Sequence, residues 1–149
     1  MPEAITKYAI NSTLGTNNFE PLDKMIIGQK QLLASDNVYQ IVKSDTVSVT
    51  NPATLNIDLF KLKINGSFKI SIFGGASYND GTVRILKNGV DITSISVGQT
   101  DGNYASSVIN AERNDIISVI ITAGTNGSNY IYKISILADI IDGSAIELL

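Results

Sequence analysis

The side chains that carry most enzyme chemistry are missing from this sequence. It contains no Cys and no His, so it has no thiolate nucleophile, no imidazole base, no disulfide and no zinc site built on these residues. A Ser or Thr nucleophile would need Lys or a carboxylate as its base, and neither Ser-x-x-Lys nor Gly-x-Ser-x-Gly occurs. The sequence therefore predicts a protein that is not an enzyme and has no catalytic residues, no cofactor and no resident metal.

The remaining polar candidates fit turns better than chemistry. Glu112 and Asp115 are the one carboxylate pair within a loop that suits glycosidic cleavage, but solvated charges are typical of such a turn. Oxygen ligands for calcium are present in Asn79-Asp80 and in Asp101-Gly102-Asn103, but their spacing matches no known calcium loop. Residues 74–77, Gly-Gly-Ala-Ser, match no phosphate-binding motif. We interpret all four segments as strand ends and turns.

Tyrosines are the better candidates for binding. Tyr78, Tyr104, Tyr130 and Tyr132 lie in or beside predicted loops and strand starts. Amphipathic rings at such positions stack on sugars or fill protein interfaces, and packing in the core or between subunits is the alternative. We take Tyr78, Tyr104 and Tyr130 as the candidate ligand-binding residues.

Length and composition limit the class of protein. A chain of 149 residues suits one domain with an extra arm, and 44 % apolar against 17 % charged residues exclude intrinsic disorder. The net charge of −3 argues against a nucleic-acid partner, which needs a basic face. The first residues lack the basic and apolar regions of a signal peptide, and the longest apolar run, residues 116–123, is too short to span a bilayer.

The first 45 residues predict an extended arm. Their apolar residues hold no steady period, and Pro and Gly interrupt them. Residues 31–43 favour two short strands separated by a turn at Ser35-Asp36-Asn37. We expect the arm to be dispensable for folding and to anchor the protein to a partner through its apolar side chains, namely Ile5, Tyr8, Ile10, Leu14, Phe19, Leu22, Met25 and Ile26.

Residues 46–149 predict an all-β domain. Ile and Val recur at two-residue spacing, and clusters of Gly, Asn, Asp and Ser arrive every eight to twelve residues. About eight short strands without an amphipathic helix indicate an antiparallel β-sandwich or jelly roll. The alternation after Leu59 stays in phase only if one residue is inserted, so we expect a β-bulge near Phe60.

Two Asn-Gly pairs predict tight turns. Asn88-Gly89 stands between alternating apolar residues, which is the strongest short-range indication of a hairpin, here over residues 83–92. Asn65-Gly66 predicts a second hairpin over residues 55–73. Further strands are expected at residues 94–98, 104–109, 116–122 and 130–140.

Two resemblances extend this interpretation. Residues 68–72, 83–92 and 130–137, with their alternating strands and the Lys-Asn-Gly turn at 87–89, resemble jelly-roll modules of the C1q/TNF type. Residues 5–12 and 19–23 resemble the start of small virion proteins of tailed bacteriophages, and the Ile-, Asn- and Ser-rich composition is similar to phage structural proteins. The resemblance implies a head-fibre, head-decoration, tail-fibre or baseplate component in which an arm anchors a trimeric β-module.

Three functions follow from these patterns. The first is a structural and attachment protein of a phage particle, located in the virion, which forms a homotrimer, binds other virion proteins and contacts host cell-surface polysaccharide. Apolar residues expected on both faces of residues 116–121 support the homotrimer. The alternative is a carbohydrate-binding module or adhesin without catalytic activity. A small polysaccharide-cleaving enzyme is the third, and the absence of His disfavours it.

Overall fold

A computed structural model describes residues 31–140 and 144–149, together with the backbone of residues 4–5 and 7–8. The chain divides into two units, residues 1–30 and 31–149. In the first unit β1 (Ala4–Ile5) pairs in parallel with β2 (Lys7–Tyr8). The side chains of the eight candidate anchoring residues, from Ile5 to Ile26, lie outside the described residues, so the anchoring hypothesis stays a prediction.

The second unit is built from strands, which confirms the all-β prediction. Within its described residues no helix occurs, and hence none is long and apolar enough to cross a membrane. Strand β11 has the predicted bounds. The strands are β3 (Leu32–Lys43), β4 (Val47–Thr50), β5 (Thr54–Leu62), β6 (Gly66–Ser77), β7 (Gly81–Lys87), β8 (Val90–Val97), β9 (Gly102–Ala105), β10 (Ile109–Ala111), β11 (Ile116–Thr122), β12 (Ser128–Ile140) and β13 (Ile146–Leu148).

These strands form two sheets of a sandwich. In the first sheet β12 lies in the middle, with β3 and β4 along one side and β6 along the other, and β6 pairs on its far side with β9 and β10. The second sheet has the order β13-β5-β11-β7-β8 and is antiparallel throughout. Alternating side chains of both sheets meet between them, as expected of a sandwich.

The core between the sheets consists mainly of aliphatic side chains. Phe60 and Phe68 add one aromatic contact across the sheets, with ring centroids 5.6 Å apart in an edge-to-face arrangement. Burial of these side chains is the main stabilising contribution to the fold. The largest fully buried residues are Leu32, Phe60, Leu62, Phe68, Ile70, Ile72, Ile85, Ile117, Ile121, Ile131, Ile134 and Ile136.

The predicted bulge near Phe60 is confirmed. Ile117 pairs with Phe60 while the next residue, Ser118, pairs with Asp58, so Leu59 is the extra residue of β5. Leu59 and Phe60 are neighbours in the sequence, yet both belong to the core between the sheets, because a bulge interrupts the alternation of a strand. The insertion restores the phase and lets Leu62 face the core.

The Asn88-Gly89 hairpin is also confirmed. Lys87 of β7 pairs with Val90 of β8 across the two-residue turn, and both turn residues have positive φ, 54° at Asn88 and 82° at Gly89. This is the backbone signature of a type I′ turn, which suits the right-handed twist of the strands.

Replacing Gly89 with Val is expected to destabilise the fold by about 1–3 kcal/mol, because a β-branched residue is strained at positive φ. A Cβ at this position would meet no atom within 4 Å, so the cost comes from the backbone alone. Urea unfolding monitored by circular dichroism measures it. An unchanged unfolding midpoint would contradict the turn assignment.

The predicted hairpin over residues 55–73 is wrong. Strand β5 belongs to the second sheet and β6 to the first, so the chain crosses between sheets at residues 63–65. The backbone of Leu32 packs against Gly66 and its N–H donates to the carbonyl of Asn65 at 3.2 Å. This contact joins the start of β6 to the start of β3 in the first sheet.

The predicted boundary at residue 45 is also wrong. Residues 32–43 form the single strand β3, which pairs with β12 from Ile140 to Ile134 and therefore belongs to the sandwich. Leu32 is fully buried, and the Tyr39 hydroxyl accepts a hydrogen bond from the N–H of Ala145 at 3.0 Å. The turn expected at residues 35–37 corresponds to an irregularity within this strand, since Ala34 and Val38 face neighbouring residues of β12.

Candidate functional site

The outer face of the first sheet carries a group of aromatic side chains. Ile70 and Ile72 of β6 point into the core, so the alternation places Phe73 on the outer face. On β12 the buried Asn129 and Ile131 flank Tyr130, which points outward and is 38 % exposed. We call Phe73, Tyr130 and Tyr132 the aromatic face.

An irregularity in β12 brings the third ring into this group. Ile131 pairs with Gly74, whereas Lys133 pairs with Phe73, so Tyr132 is an extra residue. Its ring lies 5.7 Å from that of Phe73, centroid to centroid, at an interplanar angle of 46°. Bulges of this kind redirect side chains at binding sites. Here the bulge places two rings side by side on one surface.

Polar side chains surround the aromatic face. Tyr130 pairs with Gly75 on one side and with Ser48 of β4 on the other. Phe73 pairs with Asn103 of β9 and with Lys133 of β12. Directly paired residues point to the same face of a sheet. Two rows of the sheet therefore combine apolar rings with hydroxyl, amide and ammonium groups.

Asp101 completes the row that contains Tyr130. A Cβ built on Gly75 would overlap the Oδ1 atom of Asp101 and lie 3.1 Å from its backbone nitrogen. The carboxylate of Asp101 thus occupies the space that a side chain at residue 75 would fill, next to Tyr130. Asp101 itself is exposed. The missing side chain of Gly75 is what allows a carboxylate so close to the ring.

Tyr78 lies just beyond this surface, at the tip of the loop after β6. It is 77 % exposed and has a φ of 67°, and the N–H of Asn79 donates to the carbonyl of Ser77 at 2.9 Å. This is the geometry of a classic γ-turn, which is strained for a bulky residue. The turn holds the Tyr78 ring out into solvent, where a ligand can reach it.

Tyr104 occupies a different environment from the other candidates. It pairs with the buried Ile72, and its ring packs against the core. Its hydroxyl donates to the carbonyl of Thr100. The structure therefore places Tyr104 on the inner face, where it supports the 98–102 turn, and away from Tyr130. Packing in the core, the alternative that the sequence left open, describes this residue.

The sequence matches no protein-family model and no curated protein. Among solved structures, the chain is similar to the carbohydrate-binding module CBM36 in complex with calcium and xylotriose. The two sequences are 17 % identical, the match covers 72 % of this chain and 98 % of that chain, and the TM-score is 0.46. A β-glucosidase from Paenibacillus barengoltzii matches at 14 % identity and a TM-score of 0.40, over 82 % of this chain and 14 % of that chain. Likenesses at this level do not bear on what the present chain binds.

Phe73 and Tyr132 of the aromatic face, and the neighbouring Asp101, are absent from the candidate ligand-binding residues that the sequence suggested. Phe73 follows Phe68, Ile70 and Ile72 out of phase, and this shift in alternation was the available indication that it points outward. Nothing in the sequence indicated that Asp101 packs on Gly75, because that contact depends on how the 98–101 turn meets β6.

The carboxylate pair Glu112 and Asp115 forms a turn. Asp115 accepts hydrogen bonds from the Asn88 side chain at 2.8 Å and from the N–H of Glu112 at 2.8 Å, so both of its oxygens are engaged. Asn65 accepts from the N–H of Arg113 at 2.7 Å in the same loop. These bonds clamp the loop and leave Asp115 poorly suited to proton transfer or nucleophilic attack.

The Asn79-Asp80 segment, which was weighed for calcium, is likewise tied into a turn. The Asn79 side chain donates to the carbonyl of Thr125 at 2.6 Å, and Asp80 accepts from Gln99 at 3.3 Å. Within residues 31–140 and 144–149, no three carboxylate, His or Cys side chains cluster closely enough to hold a metal ion.

Stability is expected to depend on the ionisation of Asp115 in acid. The hydrogen bond from the Glu112 N–H is the main cause that lowers the pKa of Asp115, with Asn88 and Lys87 adding to it and burial opposing it. The folded pKa thus lies below the unfolded value of about 3.9. The carboxylate contributes its stability above that value and loses it as the pH falls through the folded pKa.

Thermal melting of the wild type and Asp115→Asn from pH 7 to pH 2 tests this dependence. We expect the variant to melt at a lower temperature at pH 7. The difference should shrink as the pH falls from about 4, where the carboxyl of the unfolded chain begins to bind a proton, through the lower pKa of the folded protein. The pKa of Asp36 is lowered too, in this case by its hydrogen bond and ion pair with Lys69. Asp36 is present in both proteins, so its contribution to the pH dependence cancels in the comparison. A difference that is constant over this range would contradict the assigned role.

Proposed function

We propose that this protein is a non-catalytic binding module that takes a carbohydrate on the aromatic face of its first sheet. The observation that carries the proposal is the grouping of Phe73, Tyr130 and Tyr132 on one outer surface, bordered by Asp101, Asn103 and Ser48. Sugars present both apolar C–H faces and hydroxyl groups. Aromatic rings suit the former, and carboxylate, amide and hydroxyl groups suit the latter.

The opposite surface of the sandwich supports this choice by contrast. Ile117, Val119 and Ile121 of β11 are buried, so Ser118 and Ile120 lie on the outer face of the second sheet. Their paired neighbours on β5 and β7 are Asn56, Asp58, Arg84 and Leu86. No aromatic side chain lies among these paired residues, so a ligand that stacks on rings has its platform on the first sheet.

Binding of the full chain to a panel of purified polysaccharides, measured by affinity electrophoresis and then by calorimetry, tests the proposal. We expect at least one polysaccharide to bind, and Tyr130→Ala to weaken that binding about tenfold, since a stacked ring contributes about 1 kcal/mol beyond its buried area. Ile116→Ala, at 39 % exposure on the second sheet, is the matched control and should bind normally. Equal binding by both variants would reject the aromatic face.

A second candidate function is the virion attachment protein implied by the phage resemblance. The observation that favours it is an apolar strip on β3, formed by Leu33, Val38 and Ile41, which are 46 %, 61 % and 46 % exposed. Residues 116–121 were expected to present apolar side chains on both faces. They expose fewer than expected, because Ile117, Val119 and Ile121 face the core. Under this hypothesis the strip contacts other copies in a homotrimer or another virion protein.

Light scattering tests whether the apolar strip on β3 joins copies of this protein into a trimer. A trimer at micromolar concentration that becomes a monomer in Val38→Asp would support the virion hypothesis. A stable 15.9 kDa monomer would contradict the homotrimer and leave the carbohydrate-binding module as the better account.

A further inference from the structure

We infer that the aromatic face selects neutral sugars that carry two adjacent hydroxyl groups. The sugar ring stacks on Tyr130, and both hydroxyl groups donate hydrogen bonds to the Asp101 carboxylate. This inference rests on the proposed function and specifies the ligand class of the same site. It assigns Asp101 as the residue that determines specificity.

The position of Asp101 carries the first step. Its Oδ1 lies where a Gly75 side chain would be, and Gly75 pairs directly with Tyr130. Paired residues lie about 5 Å apart, so the carboxylate borders the ring that a sugar would cover. A pyranose stacked on Tyr130 therefore presents its edge, where the hydroxyl groups project, to Asp101.

The chemistry of the carboxylate carries the second step. Asp101 is an exposed residue, so a ligand can approach its side chain. An ionised carboxylate is an acceptor with two oxygens, which matches two neighbouring hydroxyl donors. Hydrogen bonds to a charged group are stronger than those between neutral groups, so this pair of bonds contributes much of the selectivity.

The charges around the site carry the third step. Among the described residues that pair directly with the aromatic face, Lys133 is the one cation, and it lies beside Phe73 in the neighbouring row. Asp101 lies in the row of Tyr130 itself. A sugar carboxylate on Tyr130 would meet Asp101 first, and like charges brought together at an interface oppose binding. Uronic-acid polymers should therefore bind more weakly than neutral polymers.

Calorimetry with the full chain tests the inference on neutral polysaccharides, namely xylan, mannan and β-glucan, and on two polyuronates, alginate and polygalacturonate. We expect the wild type to bind a neutral polymer at least tenfold more tightly than either polyuronate. Asp101→Ala should weaken the neutral interaction about 10- to 100-fold. Asp101→Asn should reduce the ratio of the affinity for the neutral polymer to the affinity for the polyuronates. Asp58→Asn, the same charge change on the outer face of the second sheet, should alter neither value.

The outcomes distinguish a failure of this inference from a failure of the proposed function. The inference would be overturned if polyuronates bound tightly and Lys133→Met abolished that binding. It would also be overturned if both Asp101 variants still bound the neutral polymers normally. In either case, loss of binding in Tyr130→Ala would still support the proposed function. No binding of any polymer would overturn both. Circular dichroism of each variant confirms that the sandwich is folded.

Discussion

A chain that begins at residue 31 is expected to unfold in one cooperative transition, whereas a chain that begins at residue 46 is expected not to fold stably. Every strand of the sandwich finds its partners within residues 31–149. The shorter chain lacks β3, which pairs along half of β12 and buries Leu32 completely. Removing this strand uncovers the edge of β12 beside Ile134 and Ile136.

The size of this effect follows from what β3 contributes. Burial of Leu32 stabilises by about 1.5–3 kcal/mol, and the half-buried Tyr39 and Val42 add further apolar contact. Together with the lost pairing to β12, the deficit is about 5 kcal/mol, comparable to the whole stability of many domains. Calorimetric melting of the two chains measures it. A cooperative transition in residues 46–149 would show that residues 31–45 are a dispensable arm.

Replacing Gly66 with Ala is expected to cost about 3 kcal/mol, the upper end of the range for overpacking. An added Cβ would overlap the carbonyl oxygen of Leu32 and lie 2.6 Å from its backbone nitrogen and 2.8 Å from its Cβ. These are backbone atoms and the first side-chain atom, so no rotation of a flexible side chain relieves the overlap. The start of β3 or of β6 must move instead.

Urea unfolding of Gly66→Ala, with Gly89→Ala as the matched control, measures this cost. Both glycines are flanked by Asn on their N-terminal side, but a Cβ at residue 89 meets no atom within 4 Å. We expect the loss at residue 66 to exceed the loss at residue 89 clearly. Equal losses of stability in the two variants would mean that Leu32 does not lie against Gly66. That result would contradict the pairing of β3 with β6 at this end of the sheet.

Local patterns predicted the local structure of this protein well. The alternation of residues 116–122, the Asn88-Gly89 turn and the extra residue beside Phe60 each depend on neighbours in the sequence, and all three are present. Asn114 and Asn126, which lie in predicted loops, also have positive φ. Asn tolerates the left-handed region, so its occurrence between apolar strands carries information about turns.

Contacts between distant residues account for the errors. Asn65-Gly66 indicates a turn, but it contains no information on whether the strands on either side pair together or join different sheets. Residues 31–43 contain Ser, Asp, Asn and Gln among their apolar residues, since β3 lies at the edge of the first sheet with much of its surface in solvent. Their strand character comes from pairing with β12, a hundred residues further along.

The candidate site shows the same division. Tyr130 was predictable as an outward ring because its own strand alternates around it. Asp101 and Phe73 join it only through the register of β6 with β9 and β12 and through the bulge at Tyr132. Tyr104 belongs to a similar local pattern and points the opposite way, because its partner Ile72 faces the core.

Mapping a bound oligosaccharide by amide chemical shifts is the most direct test of the binding face. Isotope-labelled full-length protein would be titrated with a short oligomer of the polysaccharide that binds best. We expect the largest shifts at residues 73–75, 101–103 and 130–133, with residues 84–86 and 118–120 of the opposite sheet unchanged. Shifts concentrated on the second sheet, or on β3 alone, would contradict the assignment of the aromatic face as the carbohydrate site.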